Sequence, residues 1–180
     1  MRAQPVDDAA AKLVTAARRQ VGVTRTYDPA YTKLGYPGGD VPRERGVCTD
    51  VIIRAYRDAL DVDLQVLVHE DMRRAFSAYP ALWGLSRTDR NIDHRRVPNL
   101  QAFFRRADAT LPISKDAANY RPGDIVSQML PGNLPHIGIV ADERMPDSGR
   151  PLIVHNIGAG ARMEDVLFAY PITGHYRYKV

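Results

Sequence analysis

The sequence of 180 residues contains a single cysteine, Cys48, so it cannot form an internal disulfide. It contains no run of 18 apolar residues, and we therefore expect no membrane-spanning helix. It also lacks the aromatic and basic motifs of RNA- or DNA-binding proteins, so we expect no nucleic-acid partner despite a net charge of +4. Residues 1–5 lack the apolar core of a secretory leader, which indicates either a cytoplasmic protein or an exported chain given without its leader.

The remaining composition is that of an ordinary globular protein, with 44% hydrophobic and 26% charged residues. A chain of this length can bury the core of one domain, whereas two full domains would be cramped. We therefore expect a single domain spanning residues 1–180, and we expect it to be a monomer.

The first part of the chain has a helical pattern. Apolar residues at helical spacing predict helices over residues 8–21, from Cys48 to about Leu60, after Asp61 or Asp63, and from Pro98. Pro80 is expected to end the third of these helices. The segments 23–46 and 81–96 show no period and are predicted to be loops.

The second part has an extended pattern. Residues 125–130 and 136–140, separated by a Pro-Gly turn, predict a β-hairpin, while residues 152–157 and 174–180 predict two further strands. Helices followed by strands along the chain indicate an α+β fold.

Cys48 lies at the predicted start of a helix, directly after a loop rich in glycine and proline. The positive end of the helix dipole favours a thiolate, so we expect a partly exposed and reactive cysteine. The alternative is a buried cysteine without chemistry, which is the commoner situation for a lone thiol. Asp50 would oppose a thiolate through its negative charge.

Two histidines complete a pattern typical of nucleophilic catalysis. Side chains alternate between the two faces of a strand, so His136 shares a face with Gly138 and Val140, and His155 shares a face with Ile153 and Ile157. If the two strands pair side by side, the two histidines can come together. Cys48 would attack, His136 would accept its proton, and His155 would orient His136, with Asn156 as the runner-up for that last role. A metal site made of Cys48, His136 and His155 is a weaker hypothesis, because zinc ligands usually occur in close pairs.

Several motifs resemble known families. The segments Gly46-Val47-Cys48-Thr49-Asp50, Pro122-Gly123-Asp124-Ile125-Val126, His136-Ile137-Gly138-Ile139-Val140 and Ile153-Val154-His155 resemble motifs of the NlpC/P60 cysteine peptidases. The segments 36–42, 46–51, 69–72, 91–100 and 154–158 resemble the bacterial domain-of-unknown-function family 1287, and this second resemblance covers nearly the whole chain.

The resemblance implies a papain-like α+β fold of the NlpC/P60 type, with N-terminal helices packed on a C-terminal antiparallel sheet. It also implies a hydrolase that cleaves cell-wall peptides and needs no cofactor. The expected location of such an enzyme is the periplasm or the outside of the cell. Thr49 and Asp50 depart from the small residue and the glycine usual after the nucleophile. There are two alternatives. One is a cysteine amidase or acyltransferase that acts on another acyl donor, and the other is a binding module with an inactive site.

Four residues are expected to contact the substrate: Tyr36, Asp50, Arg95 and Arg96. Tyr36 precedes the nucleophile much as a substrate-contacting tyrosine does in NlpC/P60 enzymes. The two arginines, with Arg43 and Arg45 as further candidates, could bind free carboxylates of a peptide as bidentate donors. The cleft itself is expected to be walled by residues 27–47 and 87–97.

Overall fold

The computed structural model describes residues 8–180, and the first predicted helix begins at the edge of that range. The four α-helices are α1 (Asp8–Arg18), α2 (Cys48–Leu60), α3 (Leu64–Arg74) and α4 (Val97–Arg106). Three turns of 3₁₀-helix lie at Phe76–Ala78, Asp93–Arg95 and Ala117–Asn119. Each predicted helix is present, although α1 ends at Arg18 rather than at residue 21, and α3 gives way to a 3₁₀ turn before Pro80.

Residues 8–180 contain eight strands. They are β1 (Thr26–Tyr27), β2 (Arg45–Gly46), β3 (Thr110–Leu111), β4 (Ile125–Leu130), β5 (Leu134–Arg144), β6 (Pro151–Asn156), β7 (Ala161–Glu164) and β8 (Ile172–Tyr176). Four of them, β4, β5, β6 and β8, correspond to the extended pattern of the sequence. The predicted hairpin is β4–β5, in which Ser127 pairs with Ile137 and Gln128 with His136. The prediction did not include β1, β2, β3 or β7.

The strands form one large sheet and one small one. The large sheet has the order β3-β8-β4-β5-β6-β7, and all its pairings are antiparallel. The small sheet is the parallel pair β1–β2. Both strands lie within the predicted loop 23–46, and β2 ends at Gly46, with one residue between it and α2.

One face of the large sheet packs against the helices. The main core joins Leu13 and Ala17 of α1 and Ile52 and Tyr56 of α2 to inward residues of β4, β5 and β6. On the other face, a smaller cluster contains Val126, Val140, Ile153, Leu167 and Tyr120. The prediction of an α+β fold with N-terminal helices on a C-terminal antiparallel sheet is confirmed. No helix within residues 8–180 is long and apolar enough to cross a membrane.

Candidate active site

Cys48 is the first residue of α2 and lies against the sheet. The backbone N–H groups of Ile137, Thr49 and Cys48 itself lie near its sulfur and favour the thiolate. Cys48 is only 5% exposed, and burial raises the pKa of its thiol to about 12, with Asp50 adding to the rise. The expectation of a partly exposed cysteine was therefore wrong, because the packing of α2 on β5 covers a residue that local sequence places at an accessible helix end.

The two predicted histidines are in direct contact. His136 Nε2 on β5 lies 2.8 Å from His155 Nδ1 on β6, and the rings meet nearly edge to face. Gly138 permits this approach, because a Cβ at that position would lie 2.5 Å from Ile153 and 3.2 Å from the Cβ of His155. A larger residue at Gly138 would push the two strands apart.

Both histidines are buried, and burial is the main influence on their charge. Burial and the neighbouring His155 lower the pKa of His136 to about 3. Burial also lowers the pKa of His155, although Glu164 opposes that shift. Both rings are thus neutral at pH 7, and their shared hydrogen bond joins one N–H donor to one nitrogen acceptor.

Within residues 8–180 the His136 ring makes no hydrogen bond to the Cys48 sulfur. Side chains alternate along β5, so His136 shares the sheet face of Val140, whereas Ile137, which follows it in the chain, shares the face that packs on the helices. Asn156 has a different contact, since its amide group donates to the backbone carbonyl of Gly46 at 3.2 Å and so ties β6 to β2. His155 rather than Asn156 is therefore the partner of His136.

A cleft of about 370 Å³ opens over Cys48. Its walls come from the end of β1, the start of α2, the segment that leads into α4 and the turn between β4 and β5. The lining residues are Tyr27, Pro29, Val47, Cys48, Leu82, Trp83, Ile92, Arg95, Arg96, Val97, Pro98, Asn133 and Pro135. The predicted walls 27–47 and 87–97 contribute part of this lining. Trp83 belongs to the predicted loop 81–96, for which a cleft-lining role and a solvated role were both open, and it lines the cleft. The β4–β5 turn lies outside the predicted walls and becomes a neighbour of Cys48 only in the folded chain.

Asp50 and Arg95 pair with each other beside the start of α2. Two nitrogens of Arg95 bind the two carboxylate oxygens of Asp50 at 3.0 and 2.9 Å, and the side chains are 2% and 4% exposed, respectively. Asp50 also accepts a hydrogen bond from the N–H of Val47, and Thr49 donates to the carbonyl of Arg95. The expectation that Arg95 offers its guanidinium to a substrate carboxylate is corrected, because Asp50 already occupies it.

Arg96 is placed differently, although it is the next residue. Its guanidinium lies over the ring of Trp83, 4.2 Å from the centroid, in the wall of the cleft. Its Nη1 is buried and has no hydrogen-bond partner within residues 8–180. Of the two arginines, Arg96 is the one with an unused donor beside the cleft.

The tyrosine in the cleft is not the one that the sequence indicated. Tyr36 packs edge-on against His69 and lies under the guanidinium of Arg90, and it is absent from the cleft lining. Tyr27 lines the cleft instead, and partial burial together with nearby Cys48 and Asp50 raises its pKa to about 12. The pairing of β1 with β2 brings Tyr27 there, and a two-residue strand gives no detectable pattern in sequence.

Arg43 and Arg45 pair with acidic residues outside the cleft lining. Arg43 binds Asp58, and Arg45 binds Asp28 at 3.1 Å. Within residues 8–180, no group of three or more histidine, cysteine, aspartate or glutamate residues is arranged to hold a metal ion.

Comparisons with known proteins agree with the second resemblance. Residues 14–178 match the family described as "Domain of unknown function (DUF1287)". An uncharacterized protein of Escherichia coli (strain K12), YijF, is 58% identical over 168 residues, which cover 93% of this chain and 81% of YijF. The solved structure of NlpC1 from Trichomonas vaginalis is 14% identical with a TM-score of 0.49; the match covers 98% of this chain and spans 46% of that protein. The chain therefore belongs to the DUF1287 family.

Proposed function

We propose that this protein is a cysteine hydrolase that cleaves amide bonds in bacterial cell-wall peptides. The observation that carries the proposal is a cysteine at a helix start that lines a cleft and packs on β5, the strand that also holds His136 of the hydrogen-bonded histidine pair. Nucleophile, base and orienting group are the three parts that thiol acyl transfer requires.

The resting site holds a neutral thiol and a neutral imidazole. With the pKa of Cys48 raised to about 12 and that of His136 lowered to about 3, a preformed thiolate–imidazolium pair is disfavoured at pH 7. His136 therefore acts as a general base during the attack. Its Nε2 is bonded to His155, so the proposal requires His136 Nδ1 to reach the Cys48 sulfur when substrate binds and to accept the proton there.

The reaction then proceeds through an acyl-enzyme. The sulfur bonds to the amide carbon while its proton moves to His136, and the N–H groups at the start of α2 stabilise the developing oxyanion. The C–N bond breaks as His136 returns the proton to the leaving amine. Water, deprotonated by His136, then cleaves the thioester, releasing the carboxylate product and restoring the thiol.

The cleft suits a peptide with a free carboxylate. Arg96 has an unused donor, and Trp83 holds its guanidinium plane in place. An arginine binds a carboxylate through two parallel N–H bonds, which fixes orientation as well as charge. Peptide stems of the bacterial wall have such carboxylates, and the proposed location is accordingly the periplasm or the outside of the cell.

A second candidate function is a binding module for the same ligands without catalysis. The burial of Cys48 and its raised pKa favour this alternative, because an inaccessible neutral thiol does no chemistry. Incubation with defined muropeptides, read by mass spectrometry, separates the two. A hydrolase releases products that Cys48→Ala does not release, whereas a binding module retains the ligand and releases nothing in either form.

A further inference from the structure

We propose that Glu164 is a positioning residue for the histidine pair, because its carboxylate accepts the Nε2 proton of His155 and so fixes which nitrogen of His136 stays free. His155 Nε2 is buried and has no hydrogen-bond partner within residues 8–180. Glu164 Oε1 is the acidic oxygen beside it, at 3.8 Å. The Glu164 side chain is 37% exposed, which leaves it room to move by the roughly 0.8 Å that a hydrogen bond needs.

The position of one proton decides whether His136 can act as a base. A neutral imidazole has a single N–H. If His155 is protonated at Nε2, its Nδ1 is an acceptor, and His136 must donate from Nε2 across the 2.8 Å contact. The lone pair of His136 is then on Nδ1, where a thiol proton can be accepted.

The opposite arrangement disables the pair. If His155 is protonated at Nδ1, it donates to His136 Nε2, and His136 holds its own proton on Nδ1. His155 Nε2 would then direct a lone pair towards the carboxylate of Glu164, which is repulsive. The negative charge of Glu164 therefore selects the arrangement in which His136 is ready to accept a proton.

The charged surroundings of the pair allow a matched control. Glu164 and Arg162 both belong to β7, and in the register of β6 and β7, Arg162 lies directly opposite His155 while Glu164 lies opposite Ile153. Directly paired residues point to the same face of a sheet, so both charges share the face of His155. Arg162 is exposed.

The experiment is a measurement of the ring nitrogen shifts of ¹⁵N-histidine protein by NMR at pH 7 and through a pH titration. In the wild type we expect His155 and His136 both to be protonated at Nε2. Glu164→Leu should change the ratio of the two His155 tautomers by about 10-fold or more, the effect of losing a hydrogen bond to a charged group. Glu164→Gln keeps an acceptor oxygen, so it should preserve the tautomer while lowering the proton affinity of the pair by about 3- to 10-fold.

The control variant Arg162→Gln should leave the tautomers unchanged and leave the proton affinity equal or slightly higher. A wild-type His155 protonated at Nδ1 would overturn the proposal without any variant. An unchanged tautomer ratio in folded Glu164→Leu protein would do the same. The base role of His136 rests on the proposed function, whereas the tautomers are measured without substrate. Inactivity towards wall peptides would therefore leave the tautomer result for Glu164 unchanged. An unchanged tautomer ratio in Glu164→Leu would likewise leave the proposed hydrolase activity untouched.

Discussion

At the scale of single residues, adjacent arginines have separate tasks. Arg95 neutralises Asp50 inside the protein, while Arg96 lies on Trp83 at the cleft with a donor unused. Sequence alone made the two equivalent, because both follow His94 in one polar run. Only the contact with α2, formed across 45 residues of chain, distinguishes them.

We predict that Arg95→Ala destabilises the fold by about 3–5 kcal/mol, because the substitution leaves the carboxylate of Asp50 buried without a counter-charge. Urea unfolding of the variant and of wild type measures this difference. The double variant Arg95→Ala with Asp50→Ala serves as the control and should recover part of the loss, since no lone charge remains. A loss below 1 kcal/mol in Arg95→Ala would show that the ion pair contributes little.

We predict that Arg96→Ala lowers kcat/KM on carboxylate-bearing wall peptides by about 10- to 100-fold with little loss of stability, as expected for one charge-assisted hydrogen bond to a ligand. The kcat/KM of Arg96→Lys, which keeps the charge but not the planar guanidinium group, should lie between the values of wild type and Arg96→Ala. Steady-state kinetics on matched peptides with a free and an amidated carboxylate provide the test. Equal losses on both peptides would contradict carboxylate binding by Arg96.

We predict that iodoacetamide alkylates native Cys48 more slowly at pH 7 than it alkylates free cysteine, because only the thiolate reacts and the pKa of Cys48 is raised to about 12. Below that pKa, the thiolate fraction and the rate should rise about tenfold per pH unit. Mass spectrometry of the intact protein follows the reaction, with urea-unfolded protein as the reference. Faster alkylation than that of free cysteine at neutral pH would mean that a preformed ion pair exists.

At the scale of elements, periodicity predicted the helices and long strands because each has one face buried in the core. Apolar spacing in α2 and α4 and alternation in β4, β5 and β6 are local properties that a sequence displays directly. The two-residue strands β1 and β2 have no such pattern. Their pairing is set by tertiary contacts, such as those of Arg25 and Thr26 with the carbonyl of Glu44.

Asp124 joins the turn before β4 to β8. Its carboxylate accepts from His175 Nε2 at 2.6 Å and from Arg177 Nε at 2.7 Å. Burial alone would raise the pKa of Asp124, but the hydrogen bonds from His175 and Arg177 more than offset it, so the pKa is lowered. A lowered pKa stabilises the fold above the unfolded value of about 3.9 and ceases to do so as pH falls through the folded value.

We therefore predict that Asp124→Asn destabilises the protein by about 3–5 kcal/mol at pH 7, since Arg177 loses its counter-charge. The difference from wild type should shrink as the pH falls below about 4, because the aspartate becomes protonated first in the unfolded chain and, at lower pH, in the folded protein whose pKa is lowered. Urea unfolding between pH 3 and pH 7 measures both free energies. A difference that stays constant over this range would contradict the assigned charge of Asp124.

At the scale of the whole molecule, the alternation of side chains along consecutive strands predicted that His136 and His155 meet, and they do. That Cys48, His136 and His155 act together as one catalytic site stays a prediction. The depth of Cys48 and the pairing of Asp50 with Arg95 could not be predicted. Each depends on contacts between segments that are far apart in the sequence, and the spacing of residues within one segment does not contain that information.

The central claim is that the Cys48 site hydrolyses amide bonds of cell-wall peptides, and one measurement tests it most directly. Purified protein is incubated with bacterial sacculi and with defined peptide stems, and the soluble products are identified by mass spectrometry, with Cys48→Ala and His136→Ala as matched controls. The account predicts that wild type releases peptides ending in a new carboxylate and a new amine, and that neither variant does. If wild type releases nothing while its fold and the contact of His136 with His155 are intact, or if Cys48→Ala releases the same products, the claim is contradicted.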